Sequence, residues 1–440
     1  MYCFSWTKAS IPAPQLLSHS ATELLSIFVT IDILMKREMI PLLLLSFVNT
    51  LNFSILIPIL PFIIKAYGGG TVMYGVILST YPFFQFFAAP ILGSLSDRYG
   101  RRPILLISQA GTMLSWVIFE VSYFVPHISI GALSVPALVI ILARIADGVT
   151  GGNNAVANAY LSDITTREEK TKAFGLVGGV VGLGFIVGPA LGGLTMSSSL
   201  GYLAPILLTL GVSIVTLIVM MQYLPESLPP EKRVAHVKIN LKDEFQFFSK
   251  LKEYSKNRQI KYLFFLRTMF LFVFSSFSSI FVLFMIDTFK FDASKIGMFF
   301  VLVGIFLIFN QAFLAGFISK KLGDLKTFIF GQLALVVSQF LYVFITNFWM
   351  FLPLAYLNNF GLSISMPTFK SLLSKSVDES QQGEIMGIDE SFFSASSAIS
   401  PLIATWIYAT IGKYVFLVQA IVLLGSIAFF EMKKGWKSAI

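Results

Sequence analysis

Twelve apolar runs, each about 20 residues long, follow one another along this chain of 440 residues and restrict its fold more than any other feature. A helix of that length crosses the hydrocarbon core of a bilayer. We therefore predict an all-α membrane protein with twelve transmembrane helices in two pseudo-symmetric six-helix halves. The predicted spans are 40–64, 73–94, 104–125, 135–160, 172–195, 202–223, 260–286, 296–318, 327–346, 348–370, 384–411 and 413–431.

The composition agrees with a surface that faces lipid. Only 12% of the residues are charged, against about 25% in soluble domains, and the 45 Phe residues suit lipid-facing helices. The net charge of +9 does not indicate a nucleic-acid partner, because the basic residues are scattered between apolar runs. The single cysteine, Cys3, excludes a disulfide framework and a cysteine-based metal cage. The three histidines are far apart, so we expect no metal and no cofactor.

The distribution of basic residues predicts the orientation. Of the 32 Lys and Arg residues, 26 fall in segments on the same side of the membrane as the N-terminus. Such a bias is typical of cytoplasmic segments, so both termini should be cytoplasmic. We expect a monomeric multi-pass protein of the bacterial inner membrane. The exceptions are Lys65, Lys290, Lys295 and Lys413 on the opposite side, and Arg144 and Arg267 within spans.

The chain divides into halves that echo each other, as in transporters built from repeats. The spacing of Gly93 and Gly100 recurs in Gly316 and Gly323. The segment 224–259 is either a plain tether or a linker with an amphipathic helix at 241–254. The predicted domains are an N-terminal cytoplasmic extension at 1–38, which a mis-called start codon would explain, a first half at 39–223, a linker at 224–259, a second half at 260–432 and a cytoplasmic tail at 433–440.

A short charged loop lies between the second and third spans, with the sequence Gly93-Ser-Leu-Ser-Asp-Arg-Tyr-Gly-Arg-Arg-Pro103. Gly93 and Gly100 permit a tight turn and close helix approach. The carboxylate of Asp97 suits the N-terminal end of another helix, where unpaired N–H groups favour an anion.

This loop closely resembles the signature of the major facilitator superfamily of transporters, and the segments below narrow the resemblance to its tetracycline-efflux-like drug/proton antiporters. The resemblance covers residues 39–432. It implies that Asp97 lies against the eleventh span and locks the cytoplasmic side closed. It also implies that Arg101 pairs with Asp163 at the end of the fourth span. Arg98 and Arg102 serve either this gate or only the topology, by binding anionic headgroups.

The fourth span contains Arg144 and Asp147, three residues apart and therefore on one helix face. Charges inside a span are costly and mark a partner or a cavity. The Arg-x-x-x-Gly pattern resembles a family motif associated with proton transfer. The alternative is a pair that only braces the bundle.

The fifth span is rich in glycines spaced by four, which give a smooth face for a neighbouring helix. This string resembles the antiporter motif of the family and favours export over uptake. The residues concerned are Gly184, Gly188, Pro189, Gly192 and Gly193.

The first span departs from the family pattern. Tetracycline-efflux relatives carry an acid nine residues before a Pro-x-Leu-Pro string, where this chain has Asn49 before Pro58. An amide cannot release a proton, so if the protein is proton-coupled, the proton carrier lies elsewhere. Asp147 is the first candidate. Glu120 is a second, although a position near the outer end of its span also suits snorkelling to the interface.

Charges also enter the second half. Asp389 and Glu390 in the eleventh span and Arg267 in the seventh lie at similar depth, which predicts an ion pair. The carboxylates are further proton-coupling candidates. The pair either breaks between access states or is static.

Polar groups near mid-span are the candidate contacts for a small-molecule substrate, because amides bind hydroxyls and carbonyls. A single Asn can instead bridge two helices. The candidates are Asn49, Asn52, Gln85, Asn153, Asn154, Arg267, Asn310, Gln311, Asn358 and Asn359.

The sequence carries no Gly-x-x-x-x-Gly-Lys-Ser/Thr loop and no nucleophile–base pattern, so neither direct ATP drive nor enzyme activity is expected. We predict a secondary active transporter that exports a drug-like or amphipathic compound in exchange for protons. A metabolite uniporter or proton symporter of the same fold is the nearest alternative. A membrane sensor that moves no solute is an alternative from another class.

Overall fold

The computed structural model describes residues 38–130, 133–166, 170–233, 251–377 and 382–432. Within them, ten stretches are long and apolar enough to cross a membrane by length and composition. One of the ten, Ile385–Met432, covers parts of two helices, and Phe348–Lys375 is a further long helix, so the described residues form twelve spans. The predicted fold class is confirmed. The spans are Met39–Ala66, Thr71–Tyr99, Arg101–Phe124, Val135–Ile164, Lys170–Met196, Leu203–Tyr223, Arg258–Phe289, Ala293–Leu322, Asp324–Tyr342, Phe348–Lys375, Gln382–Ile411 and Val415–Met432.

Few of the described residues lie outside helices. A two-residue strand pair, Ser129–Ile130 with Leu133–Ser134, connects spans 3 and 4. The N-terminal extension to residue 37, the tail from residue 433 and most of the predicted linker helix at 241–254 lie outside the described residues. The described part of that helix, 251–254, is helical.

Three spans are composite. Span 1 breaks at Ile55 into Met39–Ser54 and Leu56–Ala66, because Pro58 has no N–H group for the carbonyl four residues earlier. Span 4 breaks at two glycines, which are poor helix formers, into Val135–Thr150 and Asn153–Ile164. Span 8 contains a six-residue π-helical segment, Asn310–Ala315, a feature frequent at functional sites.

The two ends of the bundle differ. We name the end that carries Met39, Tyr99 and Tyr223 the linker side, and the end that carries Ala66 and Phe124 the far side. The halves contact each other mainly along two helix pairs, span 2 with span 11 and span 5 with span 8, and the second helix of span 1 also contacts spans 7 and 8.

The halves touch on the far side and diverge towards the linker side. On span 2, a Cβ atom added at Gly75 would lie 2.8 Å from the carbonyl oxygen of Pro401, whereas Gly93, five turns away on the same face, has no neighbour within 4 Å. On span 5, a Cβ atom added at Gly193 would overlap the backbone of Gly297, whereas one added at Gly182, on the same face, would have no described atom within 4 Å. The space between the halves is therefore open to the linker side.

Aromatic side chains fill the second half rather than only its lipid surface. The sequence analysis took the many Phe residues as suited to lipid-facing helices, but many of these rings pack into two buried clusters because spans 7, 9, 10, 11 and 12 meet there. Fully buried rings include Phe270, Phe284, Phe328, Phe351, Phe369 and Phe416.

Candidate functional site

A buried ion pair lies at the centre of span 4. Arg144 Nη2 is 3.1 Å from Asp147 Oδ2, and the two side chains are 3% and 6% exposed. The rings of Trp116 and Tyr81 enclose the guanidinium carbon at 5.2 and 5.8 Å. Thr112 and Ser115 of span 3 lie beside the carboxylate. The pair is closed off from the space between the halves in this conformation, so proton exchange with that space requires the surroundings to move.

Amides from spans 1, 2 and 4 meet at the break in span 4. Asn49 Nδ2 donates to Asn153 Oδ1 at 2.8 Å and to Asn154 Oδ1 at 3.3 Å. Gln85 Nε2 donates to the carbonyl oxygen of Gly151 at 2.9 Å. Four of the predicted substrate contacts are thus brought together one to two helical turns from Asp147.

The second half has a matching amide group beside the π-helical segment of span 8. Asn310 Nδ2 donates to Asn359 Oδ1 at 3.2 Å, and the Tyr356 hydroxyl donates to Asn310 Oδ1. The remaining amides are dispersed: Asn52 bonds Ser213, Asn358 bonds Ser338 (each buried between two helices), and Gln311 is exposed.

Arg267 of span 7 forms a two-pronged ion pair with Asp389 of span 11. The two N–O distances are 2.7 and 2.9 Å, and both side chains are almost fully buried. The ring of Phe369 lies 4.7 Å from the guanidinium carbon. Glu390 is exposed, on the face of span 11 opposite the exposed Trp406, so it borders the space between the halves.

Arg101 organises the loop between spans 2 and 3. Its guanidinium lies 2.5 Å from Asp97 and 3.2 Å from Asp163, the partner that the resemblance implies. The side chain of Asp97 is 47% exposed, and its carboxylate lies against the guanidinium of Arg101. The space between the halves is open on the linker side. The predicted contact of Asp97 with span 11 belongs to a state closed on this side and stays a prediction. Arg98 is exposed, whereas Arg102 donates to the carbonyl oxygen of Met221.

Glu226, which the sequence reasoning missed, caps span 3 from the start of the linker. Its carboxylate accepts from the backbone N–H of Arg101 at 2.8 Å and of Arg102 at 3.2 Å. Gly100 has φ +102° and passes so close to this carboxylate that a Cβ atom would overlap it. An acid directly after span 6 was the available signal, but its partner lies 125 residues away.

We expect Glu226→Gln to lower the free energy of unfolding by about 1–2 kcal/mol, because a capping carboxylate on a helix N-terminus contributes on that scale. Denaturant titration of the purified protein measures it. Glu231→Gln, an exposed acid five residues along the same segment, is the matched control and should change stability by less than about 0.5 kcal/mol. Equal stability of the two variants would contradict the cap.

The second half repeats the loop with reversed charges. Gly323, at φ +79°, corresponds to Gly100, and the next residue is Asp324 where the first half has Arg101. Asp324 Oδ2 accepts from Lys375 and Ser371, each at 2.6 Å. The first half thus has a base, Arg101, paired with two acids, and the second half has an acid, Asp324, paired with a base, Lys375.

The span 5 glycines lie against two helices. A Cβ atom at Gly184 would lie 2.8 Å from Thr50, and one at Gly188 or Gly192 would overlap Ser54 or Ile55 of span 1. Gly193 instead faces span 8, and Pro189 lies inside the helix. Glu120 is partly buried one turn before the far-side end of span 3, a position that fits snorkelling.

Comparisons with known proteins agree with this architecture. The family model described as Major Facilitator Superfamily matches residues 42–324 and 263–435. A class C tetracycline resistance protein of Escherichia coli is 33% identical over 76% of this chain and 80% of its own length. A class H tetracycline resistance protein of Pasteurella multocida is 30% identical over 92% and 99%. The crystal structure of the human organic anion transporter MFSD10 covers 90% of this chain and 99% of its own, with a TM-score of 0.69 at 22% identity.

Proposed function

Because this chain belongs to the major facilitator superfamily of transporters, we propose that it exports a small amphipathic, tetracycline-like compound in exchange for protons. The linker side is then the cytoplasmic side of a bacterial inner membrane. The observation that carries the proposal is the buried Arg144–Asp147 pair, which supplies a carboxylate inside the spans although Asn49 replaces the acid that the resemblance implies in relatives.

The chemistry follows from the cost of burying charge. A buried carboxylate and guanidinium stabilise each other only as a pair. In the conformation open to the far side, where Arg144 would meet water or another anion, Asp147 takes a proton from that side. When the bundle returns, the proton leaves on the linker side, and its loss restores the pair and the conformation open to that side. The proton thus moves in the direction opposite to the exported substrate. Each proton supplies about 2.3 kcal/mol per 100 mV of membrane potential, plus its pH term.

Substrate would enter from the linker side and meet the amides at the break in span 4 and at the π-helical segment of span 8. These groups lie on opposite halves, so a compound that contacts both links them as the bundle rocks. Closure of the linker side then requires Asp97 to leave Arg101 for span 11, as the resemblance implies.

We expect Asp147→Asn to abolish substrate-driven proton movement, because an amide neither binds nor releases a proton. Inverted vesicles with an acidified lumen, a pH-sensitive dye and single additions of tetracycline and other amphipathic compounds provide the measurement. Glu253→Gln removes an exposed carboxylate outside the spans and should behave as wild type.

Three outcomes would change the proposal. Proton movement that survives in Asp147→Asn would move the carrier to Glu120, Asp389 or Glu390. Substrate equilibration without proton movement in the wild type would favour a uniporter. Absence of any transport by folded protein would favour a sensor.

A further inference from the structure

The second helix of span 4 begins in the interior of the bundle, without a side-chain cap. Helix Asn153–Ile164 has Gly152 at its N-cap. The first N–H groups of a helix have no partner within it, and they form the positive end of the helix dipole. Among the residues that the structure describes, no group accepts hydrogen bonds from the N–H groups of Asn153 and Asn154.

A second unsatisfied donor lies at the same point. The Asn153 side chain is fully buried, and its oxygen accepts from Asn49, but its Nδ2 has no hydrogen-bond partner in the described part of the chain. Buried amide groups are nearly always paired, so this donor is available to an acceptor that the described residues do not supply.

The carbonyl end of the break is already satisfied. Ser108 donates its hydroxyl hydrogen to the carbonyl oxygen of Thr150, and Gln85 donates to that of Gly151 at 2.9 Å. At the break, the first-turn N–H donors are therefore free, whereas the carbonyl oxygens of Thr150 and Gly151 already accept hydrogen bonds. An anionic oxygen would therefore find several free N–H groups here.

The site borders the space between the halves. Asn154 and Asn158, one turn apart on the second helix of span 4, are both exposed. The exposed large side chains of the first helix are instead apolar, Leu142 and Val149, as expected for a lipid-facing surface. A polar exposed face on a membrane helix is typical of a surface that lines a water-filled cavity.

We propose that the break in span 4 binds an anionic or enolic oxygen of the substrate, with the first-turn N–H groups and Asn153 Nδ2 as donors. This inference rests on the proposed function and names its substrate class: amphipathic compounds that carry an ionised oxygen. Half-helix N-termini near the membrane midplane bind anionic groups in other transporter folds by the same physics.

The test is direct binding by the purified full chain in detergent, without a gradient. Tetracycline and salicylate supply ionised oxygens, and tetraphenylphosphonium is a cation without oxygen. In Asn153→Asp a carboxylate replaces the donor, so tetracycline binding should weaken about tenfold or more. Asn153→Ser keeps a shorter donor and should lose less. Tetraphenylphosphonium binding should not weaken in either variant.

Gln339→Glu is the matched control, because Gln339 of span 9 is an equally buried amide and is not among the candidate substrate contacts. Its tetracycline binding should stay within about twofold of wild type. Thermal unfolding of each variant shows whether it folds, and if Asn153→Asp does not, Asn153→Ser carries the test through its selective loss of the oxygen-bearing probes.

Several results would overturn the site. They are unchanged tetracycline binding by folded Asn153→Asp, equal losses for all three probes, and wild-type protein that binds neither tetracycline nor salicylate. The last result, combined with proton movement driven by a cationic compound, would leave proton-coupled export standing. Intact tetracycline binding without proton movement would remove the proposed function and keep the site.

Discussion

Replacing Gly297 with Leu will empty the conformation described above and stop transport. Gly297 of span 8 lies against Gly193 of span 5, where a Cβ atom on Gly297 would be 2.9 Å from Gly193 Cα and 3.1 Å from the carbonyl oxygen of Pro189. These are backbone atoms of the other half, so no side-chain rotation relieves the overlap. The far side could no longer close, while a state closed on the linker side separates these helices and is unaffected.

The expected shift is large. Overpacking a tight interface costs about 1–3 kcal/mol, and a coupling of that size changes an equilibrium about 5- to 150-fold. Leu adds three further carbons beyond Cβ, so we expect the upper end of this range.

Cysteine labelling measures this shift. In a Cys3→Ser background, Asn158→Cys places a single thiol on the exposed face of span 4. An impermeant maleimide applied from the linker side should label it, and Gly297→Leu should protect it. Gly211→Leu is the control, because Gly211 of span 6 is exposed and has no neighbour within 4 Å. Undiminished labelling and transport in Gly297→Leu would show that the far side opens and closes without this contact.

The spans could be predicted from the sequence because every backbone N–H and C=O group within lipid must be hydrogen-bonded inside the protein. Twenty apolar residues must form a helix, so span number and type do not depend on distant contacts. The ends were less certain: span 8 was predicted at 296–318 and runs from Ala293 to Leu322. A charged residue such as Lys295 can continue a helix beyond the apolar run, because its side chain is exposed where the bilayer ends.

The polar site was only partly predictable, because helical position does not say which neighbour an amide faces. Asn49 and Asn52 are three residues apart in span 1, yet Asn49 joins the amides at the span 4 break and Asn52 is bonded to Ser213 between spans 1 and 6. Asp389 and Glu390 are adjacent, but one turns to Arg267 and the other to the open space. The packing of the helices decides which neighbour each of these side chains contacts.

Contacts between distant segments were beyond sequence reasoning altogether. In the sequence Glu226 resembles any other acid of the linker, whereas in the structure its carboxylate accepts a hydrogen bond from the backbone N–H of Arg101. Gly297 looks like one glycine among 32 until it is seen against Gly193. Neither residue belongs to a motif of recognisable spacing, and each matters only through its partner.

The buried pair of Arg267 and Asp389 yields the largest stability effect. We expect Arg267→Met alone to lower the free energy of unfolding by about 3–5 kcal/mol, because it leaves the carboxylate of Asp389 buried without a counter-charge. The double variant Arg267→Met with Asp389→Leu should recover most of that loss, since well-packed apolar side chains replace a buried ion pair at little or no cost. Denaturant titrations of the singles and the double give the coupling.

Transport by the double variant decides whether the pair is static. Spans 7 and 11 belong to the same half, so a rocking motion between the halves carries both residues together and gives the pair no reason to break. We therefore expect the stable double variant to transport within about threefold of wild type, a change of less than 1 kcal/mol in the barrier. Glu390→Gln, beside the pair but exposed, is the control for stability and should unfold as wild type does. A double variant that is fully stable but transports more than about tenfold slower would instead mean that the pair opens during the cycle.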